Sequence, residues 1–236
     1  MIKKFIVFTV CVLIALPCSV MGVPDIPQIE LTWNGGSKWL SSYEPNDVTQ
    51  IGECKYGLND SLMTDGIFSA YWSLTFSPDP SVVAAWGITN ISNVTQTFTY
   101  TVTTPVSPPI ATNTLYGGSM SGSFSADEDG GTLSTASPYP LYYGMIDSVG
   151  VLPLYPDLSS WTIASYESIS IPAVSMGLPP SLPNGPVSTD ISIRFKFTLT
   201  PGDAAAFTGN FVVTPEPATI CLLGLGALGL LRKRRA

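Results

Sequence analysis

The sequence predicts an all-β fold: a two-sheet antiparallel β-sandwich of the jelly-roll or Greek-key type. Three observations carry that expectation. Ile191, Ile193, Phe195, Phe197 and Leu199 alternate without a fault with Ser192, Arg194, Lys196 and Thr198. A period of two with one apolar side is a half-buried antiparallel strand. Short stretches of the same kind recur between turn residues, at Asn34-Gly35-Gly36, Pro78-Asp79-Pro80, residues 105–109, Asp129-Gly130-Gly131, residues 179–186 and Pro201-Gly202-Asp203. Strands at such spacing argue two packed sheets. Between the two ends of the chain no stretch sustains a helical period, and residues 203–207 could make one short turn.

Along the chain the first element is an export signal. Lys3 and Lys4 precede an apolar run over residues 5–16, which Pro17 breaks. Val20-Met21-Gly22 then offers a signal-peptidase site, so residues 1–22 are expected to leave with cleavage after Gly22. A helix of this run would reach about 18 Å, short of the ~30 Å hydrocarbon core, which argues against a retained anchor. Cys18 follows Leu16-Pro17, and that proline does not fit a lipobox. The strand candidates come next: 28–33, 67–76, 82–89, 97–103, 119–125, 141–149, 161–169 and 191–199. In the fourth, Phe98, Tyr100 and Val102 alternate with Thr97, Thr99, Thr101 and Thr103. Residues 23–213 read as one domain, long enough for a sizeable single core.

The last element is a second signal, over residues 214–236. Pro215-Glu216-Pro217 cannot be helical and reads as an extended, accessible link. Residues 218–231 are a short, largely apolar helix candidate weakened by Gly224, Gly226 and Gly229. Arg232, Lys233, Arg234 and Arg235 follow at once, a membrane-stop cluster that belongs on the cytoplasmic side. Together these three parts resemble the PEP-CTERM sorting signal, also labelled the ice-binding-protein C-terminal or VPEP-type tail. Thr214 stands where that pattern more often has valine. The resemblance covers about a tenth of the chain. It implies an exported protein, held transiently in the inner membrane by its C-terminal helix and processed by an exosortase near Pro215-Glu216-Pro217. It further implies a destination at the cell surface or in the extracellular matrix, linked to exopolysaccharide and biofilm. A Leu-Pro-x-Thr-Gly sortase signal is absent: Leu182-Pro183-Asn184-Gly185 lacks the threonine.

Composition narrows the function. Charged residues make up 11% of the chain and histidine is absent. Without histidine there is no Ser-His or Cys-His nucleophile pair, and most zinc sites fall away. Residues 23–213 keep four bases, Lys38, Lys55, Arg194 and Lys196, against sixteen acids, a net charge of −12. Such a surface repels nucleic acid and attracts divalent cations. Cys54 is the one cysteine left in that stretch, so no disulfide forms within it, and burial is its expected state.

Three groups could carry a site. Ser125, Asp127 and Asp129 before Gly130 resemble the start of a calcium loop, although Ala136 stands where an EF-hand has glutamate. Calcium at Asp127 and Asp129, on a turn that also holds Glu128, is therefore weighed against a plain solvated hairpin. Trp33, Trp39 and Tyr43 could stack a glycan, as could Tyr139, Tyr142, Tyr143 and Tyr155, and core packing is the competing use of each. No nucleophile elbow, phosphate loop or dinucleotide fingerprint occurs. Among the acids only Glu167 and Asp147 approach an apolar setting, and strand-edge positions account for both. The expectation is a non-enzymatic protein. Two functions remain open: a structural or adhesive envelope protein, and a carbohydrate-binding module that recognises the extracellular polysaccharide. Signal peptidase and exosortase are the expected partners.

Overall fold

A computed structural model of the chain describes residues 26–39, 48–52, 55–64, 66–77 and 80–216. The export signal, Tyr43, Cys54, Pro217, the apolar C-terminal segment and the basic cluster from Arg232 to Arg235 lie outside the described residues. Within them the structure is all-β, with two antiparallel sheets and no helix.

The first sheet, here sheet A, takes eight strands. They are β1 (Gln28–Trp33), β2 (Gly36–Trp39), β7 (Gln96–Pro105), β9 (Gly131–Thr135), β10 (Tyr142–Ile146), β11 (Val149–Leu154), β12 (Ser160–Ile163) and β15 (Asp190–Leu199). Its order is β11-β10-β15-β7-β1-β2, and β9 continues the β10 edge of β15 and pairs outward with β12. Sheet B takes β3 (Thr49–Gly52), β4 (Lys55–Thr64), β5 (Phe68–Ser77), β6 (Ser81–Asn90), β8 (Thr114–Ser125), β13 (Ser168–Met176), β14 (Leu182–Asn184) and β16 (Ala204–Pro215). Its order is β13-β8-β16-β6-β5-β4-β3, with β14 also on β8.

The alternation read from the sequence is the alternation of burial. Along β15, Ile191, Ile193, Phe195, Phe197 and Leu199 are fully buried, and along β7 so are Phe98 and Val102. Both strands turn these side chains toward sheet B. Tyr100 on β7 stacks on Trp86 of β6 at 4.4 Å and 15°. Phe207 of β16 meets Phe195 at 5.3 Å and Phe197 at 5.0 Å. Aromatic pairs of this kind contribute about 0.5–1.5 kcal/mol beyond the area they bury. The inward residues of both sheets thus form one core.

Some elements differ from the expectation, each for a local reason. The strand expected over 141–149 is a hairpin: Asp147 (φ 48°) and Ser148 (φ 64°) make a two-residue turn between β10 and β11. Positive φ at both positions is the type I′ geometry that matches the twist of the flanking strands. The strand expected over 161–169 is split. β12 stays in sheet A and β13 crosses to sheet B, and Glu167 closes the turn by accepting the Ala164 N–H at 3.1 Å. Residues 203–207, which could at most make one short turn, instead lead into β16. Alanines favour helix locally, but β6 and β8 pair with both edges of this segment, and a complete ladder outweighs propensity. β4 was not anticipated, because Asn59 and Asp60 interrupt its pattern; nine register pairs with β5 hold it.

Asn90 ties the end of β6 to the β15–β16 turn. It is fully buried. Its amide donates to the carbonyls of Val94 (2.9 Å), Leu199 (3.0 Å) and Thr200 (3.1 Å). Its Oδ1 accepts from the backbone N–H and hydroxyl of Ser92 at 3.1 and 2.7 Å. Asn90→Ala is expected to destabilise the protein by about 2 kcal/mol, because it leaves the buried Leu199 carbonyl and the part-buried Thr200 and Val94 carbonyls without this donor. A denaturant melt of the two proteins measures the difference, and a change within about 0.5 kcal/mol would contradict this role.

Candidate functional site

The C-terminal tail begins inside the fold. Val213 is fully buried, and β16 continues past it with Thr214 opposite Leu115 and Pro215 opposite Thr114 on β8. The Glu216 N–H donates to the Asn113 carbonyl at 3.0 Å. The segment is extended, as its prolines require. It is not a free link, however: its first residues complete a sheet strand. Pro215 is tolerated because β6 pairs with β16 only as far as Val212, so the missing N–H interrupts no ladder on that side.

Of the early aromatics, Trp33 and Trp39 do not share a face. In the β1–β2 register Glu30 lies opposite Trp39, and Trp33 lies opposite Gly36. Directly paired residues share a face and neighbours along a strand alternate, so the two indoles stand on opposite sides of sheet A. Trp33 packs inward, edge-on to Phe68 at 5.1 Å. Trp39 is 57% exposed on the outer side. They cannot jointly line one groove.

The later tyrosines divide three ways. Tyr142 is core: it is fully buried, packs edge-on against Phe195 at 5.4 Å, and donates to the Asn210 carbonyl at 2.9 Å. Burial raises its phenol far above the ordinary value. Tyr155 braces Trp161 at 5.4 Å and donates to the Pro172 carbonyl at 2.5 Å. Tyr139 and Tyr143 lie on the outer face of sheet A against the two bases of β15. The Arg194 guanidinium sits 5.3 Å from the Tyr139 ring and 5.1 Å from the Tyr143 ring, and Lys196 Nζ is 3.7 Å from Tyr139.

The acidic turn is built from its own hydrogen bonds. Asp127 Oδ1 accepts the Asp129 N–H at 3.0 Å, and the Asp127 carbonyl accepts from Gly130 and Tyr166. Tyr166 also donates its hydroxyl to Glu128 at 3.3 Å. Among the described residues no three Asp, Glu, Cys or His side chains converge as metal ligands. Calcium has no part in the function proposed below.

Two carboxylates stand out for other reasons. Asp203 was not singled out from its sequence neighbours, yet it is fully buried. Burial pushes its carboxyl upward, against the Thr200 hydroxyl and the Asp127 N–H that donate to it. It fastens the β15–β16 turn to the acidic turn. At Asp147 slight burial acts upward, but the N–H groups of Thr189, Ser188 and Asp190 and the Thr189 hydroxyl outweigh it and lower the pKa. A lowered folded pKa contributes stability above the unfolded value of about 3.9, and that stability is lost as pH falls through the folded pKa. Asp147→Asn, which tolerates the left-handed turn, should therefore lower the melting temperature at pH 7. The difference should close as the pH falls below the carboxylate range. A gap that persists in acid would assign the effect to the turn rather than to the charge.

The outer face of sheet B carries a shallow groove of about 270 Å³. Its floor is small: Ala85, Ser121, Ser123, Ala206 and Thr208. Tyr71, 60% exposed, forms its wall and lies over Gly87, where a Cβ would meet the ring at 2.5 Å. Sequence reasoning missed it, since its residues come from β5, β6, β8 and β16 and no local pattern joins them. Among the described residues no helix is long and apolar enough to cross a membrane.

Comparison with known proteins bears on the tail alone. A PEP-CTERM protein-sorting motif matches residues 213–235. No curated protein matches the chain. The motif marks an exported protein sorted to the cell surface at the membrane, with an exosortase as its processing partner.

Proposed function

We propose that this exosortase-sorted surface protein is a structural or adhesive component of the extracellular polymer layer, linked to exopolysaccharide and biofilm. In this reading residues 1–22 are removed on export. The domain is a β-sandwich of the jelly-roll or Greek-key type, and the tail delivers it through a membrane-held intermediate. The observation that carries the reading is the sorting motif beginning on the last strand of a single-core domain. Two broad sheet faces offer surface for contact with a polymer, and no reaction is assigned. The test compares the full chain with a chain ending at Val213, both followed by fractionation of cells and extracellular polymer. The full chain should be recovered with the polymer fraction, and enzymatic digestion of the polysaccharide should release it. Recovery in the soluble medium regardless of the tail would overturn the proposal.

A second reading, a carbohydrate-binding module, is favoured by the Tyr71 groove. An exposed ring beside Ser121, Ser123 and Thr208 offers a stacking surface with hydroxyl partners. Loss of neutral-glycan binding on Tyr71→Ala, with an unchanged melting temperature, would decide for it.

A further inference from the structure

The outer face of sheet A holds two bases side by side that tyrosine rings border and no acid among the described residues pairs. Arg194 and Lys196 are two of the four bases that residues 23–213 possess. They occupy successive outward positions of one strand, flanked by Tyr143 opposite Arg194 on β10. Neither has an ion-pair partner among the described residues. Arg194 Nε is buried and donates to nothing. Partial burial, and then the neighbouring Arg194 charge, lower the Lys196 pKa. Two like charges held side by side, facing only tyrosine rings, repel each other and attract an anion to their exposed ends. The described acids nearest to them in the sheet register do not serve. Glu30 lies two strands away, across Thr101, and Asp190 lies four residues along β15, engaged with Thr189 and Ser192.

We propose that this face binds a carboxylated sugar of an acidic polysaccharide, with Arg194 and Lys196 holding the carboxylate and Tyr139 and Tyr143 bordering the ring. This deepens the adhesive reading above by naming the chemistry of the polymer, and it rests on that reading only for where the polymer is met. A guanidinium beside an ammonium suits a carboxylate, which one donates to in plane and the other meets as a point charge. The Thr99 and Thr101 hydroxyls stand next to the two bases in the register and make no side-chain hydrogen bond among the described residues, so they are available to sugar hydroxyls. The net charge of −12 over residues 23–213 selects against denser polyanions, since nucleic acid brings a charge about every 1.7 Å and would face repulsion from the rest of the surface.

The test uses the full chain purified in mild detergent, with polygalacturonate as the probe and neutral dextran and double-stranded DNA as comparators at matched salt. Binding to polygalacturonate, weakened by salt and absent for the comparators, is the expected result. Arg194→Gln with Lys196→Gln should weaken it about tenfold or more, as loss of charge-assisted hydrogen bonds would. Tyr139→Ala, at a partly exposed ring against both bases, provides a second reading should the double variant fold poorly, and with an unchanged melting temperature it too should weaken binding. Tyr71→Ala on sheet B should leave it unchanged. No binding by the wild type, equal binding to dextran or DNA, or undiminished binding by folded variants would overturn the site. So would a change in oligomeric state of the double variant, which would assign the bases to a second copy of the chain. Any of these failures leaves the fractionation result untouched, so the two proposals fall separately.

Discussion

Phe197→Asp is expected to leave the protein unfolded at room temperature. Phe197 is fully buried on β15, within ring contact of Trp86, Phe98 and Phe207 at 5.7, 6.0 and 5.0 Å. Removing a phenylalanine from a core costs about 3–5 kcal/mol. Burying a carboxylate without a partner adds several kcal/mol more, against a total stability of about 5–15 kcal/mol for a typical domain. Lys196→Asp, one residue away, should remain folded, because position 196 faces outward beside Arg194. Circular dichroism melts of both variants of the full chain check the pair. Similar melting temperatures would mean that the two faces of β15 are not divided as described.

Replacing Pro215, Glu216 and Pro217 together by alanine is expected to abolish processing while export continues. The structure sharpens the interpretation. The bonds that hold this segment to β8 are backbone bonds, including the Glu216 N–H to the Asn113 carbonyl, and alanine keeps them. An alanine at 215 even restores a donor that proline lacks. Loss of processing would then report loss of recognition by the exosortase rather than loss of the strand. Intact-mass measurement of the membrane-associated and released protein decides it. A mature mass matching the processed wild-type domain would refute the assignment of these residues to the sorting step.

How far the sequence could be read depended on how far each signal was local. β15 and β7 were legible because a buried strand with one solvent face writes its period into adjacent residues. The tail was legible for a similar reason, since proline geometry, an apolar run and a basic cluster act on neighbours in the chain. Asp147-Ser148 lacked the glycine that usually marks a two-residue hairpin, so the strand through it appeared unbroken. Residues 203–207 could have made a short turn because alanine propensity is local, whereas the two strands that capture residues 204–207 come from residues 81–90 and 114–125.

The candidate sites divide along the same line. Trp33 and Trp39 are close in sequence, and only the β1–β2 register shows that a sheet separates them. The tyrosines between 139 and 155 read as one cluster, yet the pleat sends Tyr142 into the core and Tyr143 outward, since successive side chains of a strand point to opposite faces.

By itself, then, the sequence determined the all-β class, the inward face of the main strands, the acidic and histidine-free chemistry, and the sorting tail. Each of these is a matter of composition or of near neighbours. The tertiary structure alone decided that the sorting motif starts within β16, that Asp203 is buried, and that Arg194 and Lys196 stand with Tyr139 and Tyr143 with no acid among the described residues to pair them. Those facts depend on which distant strands become neighbours. Strand pairing is fixed by the closing of the whole core, at sequence separations where local pattern carries no information.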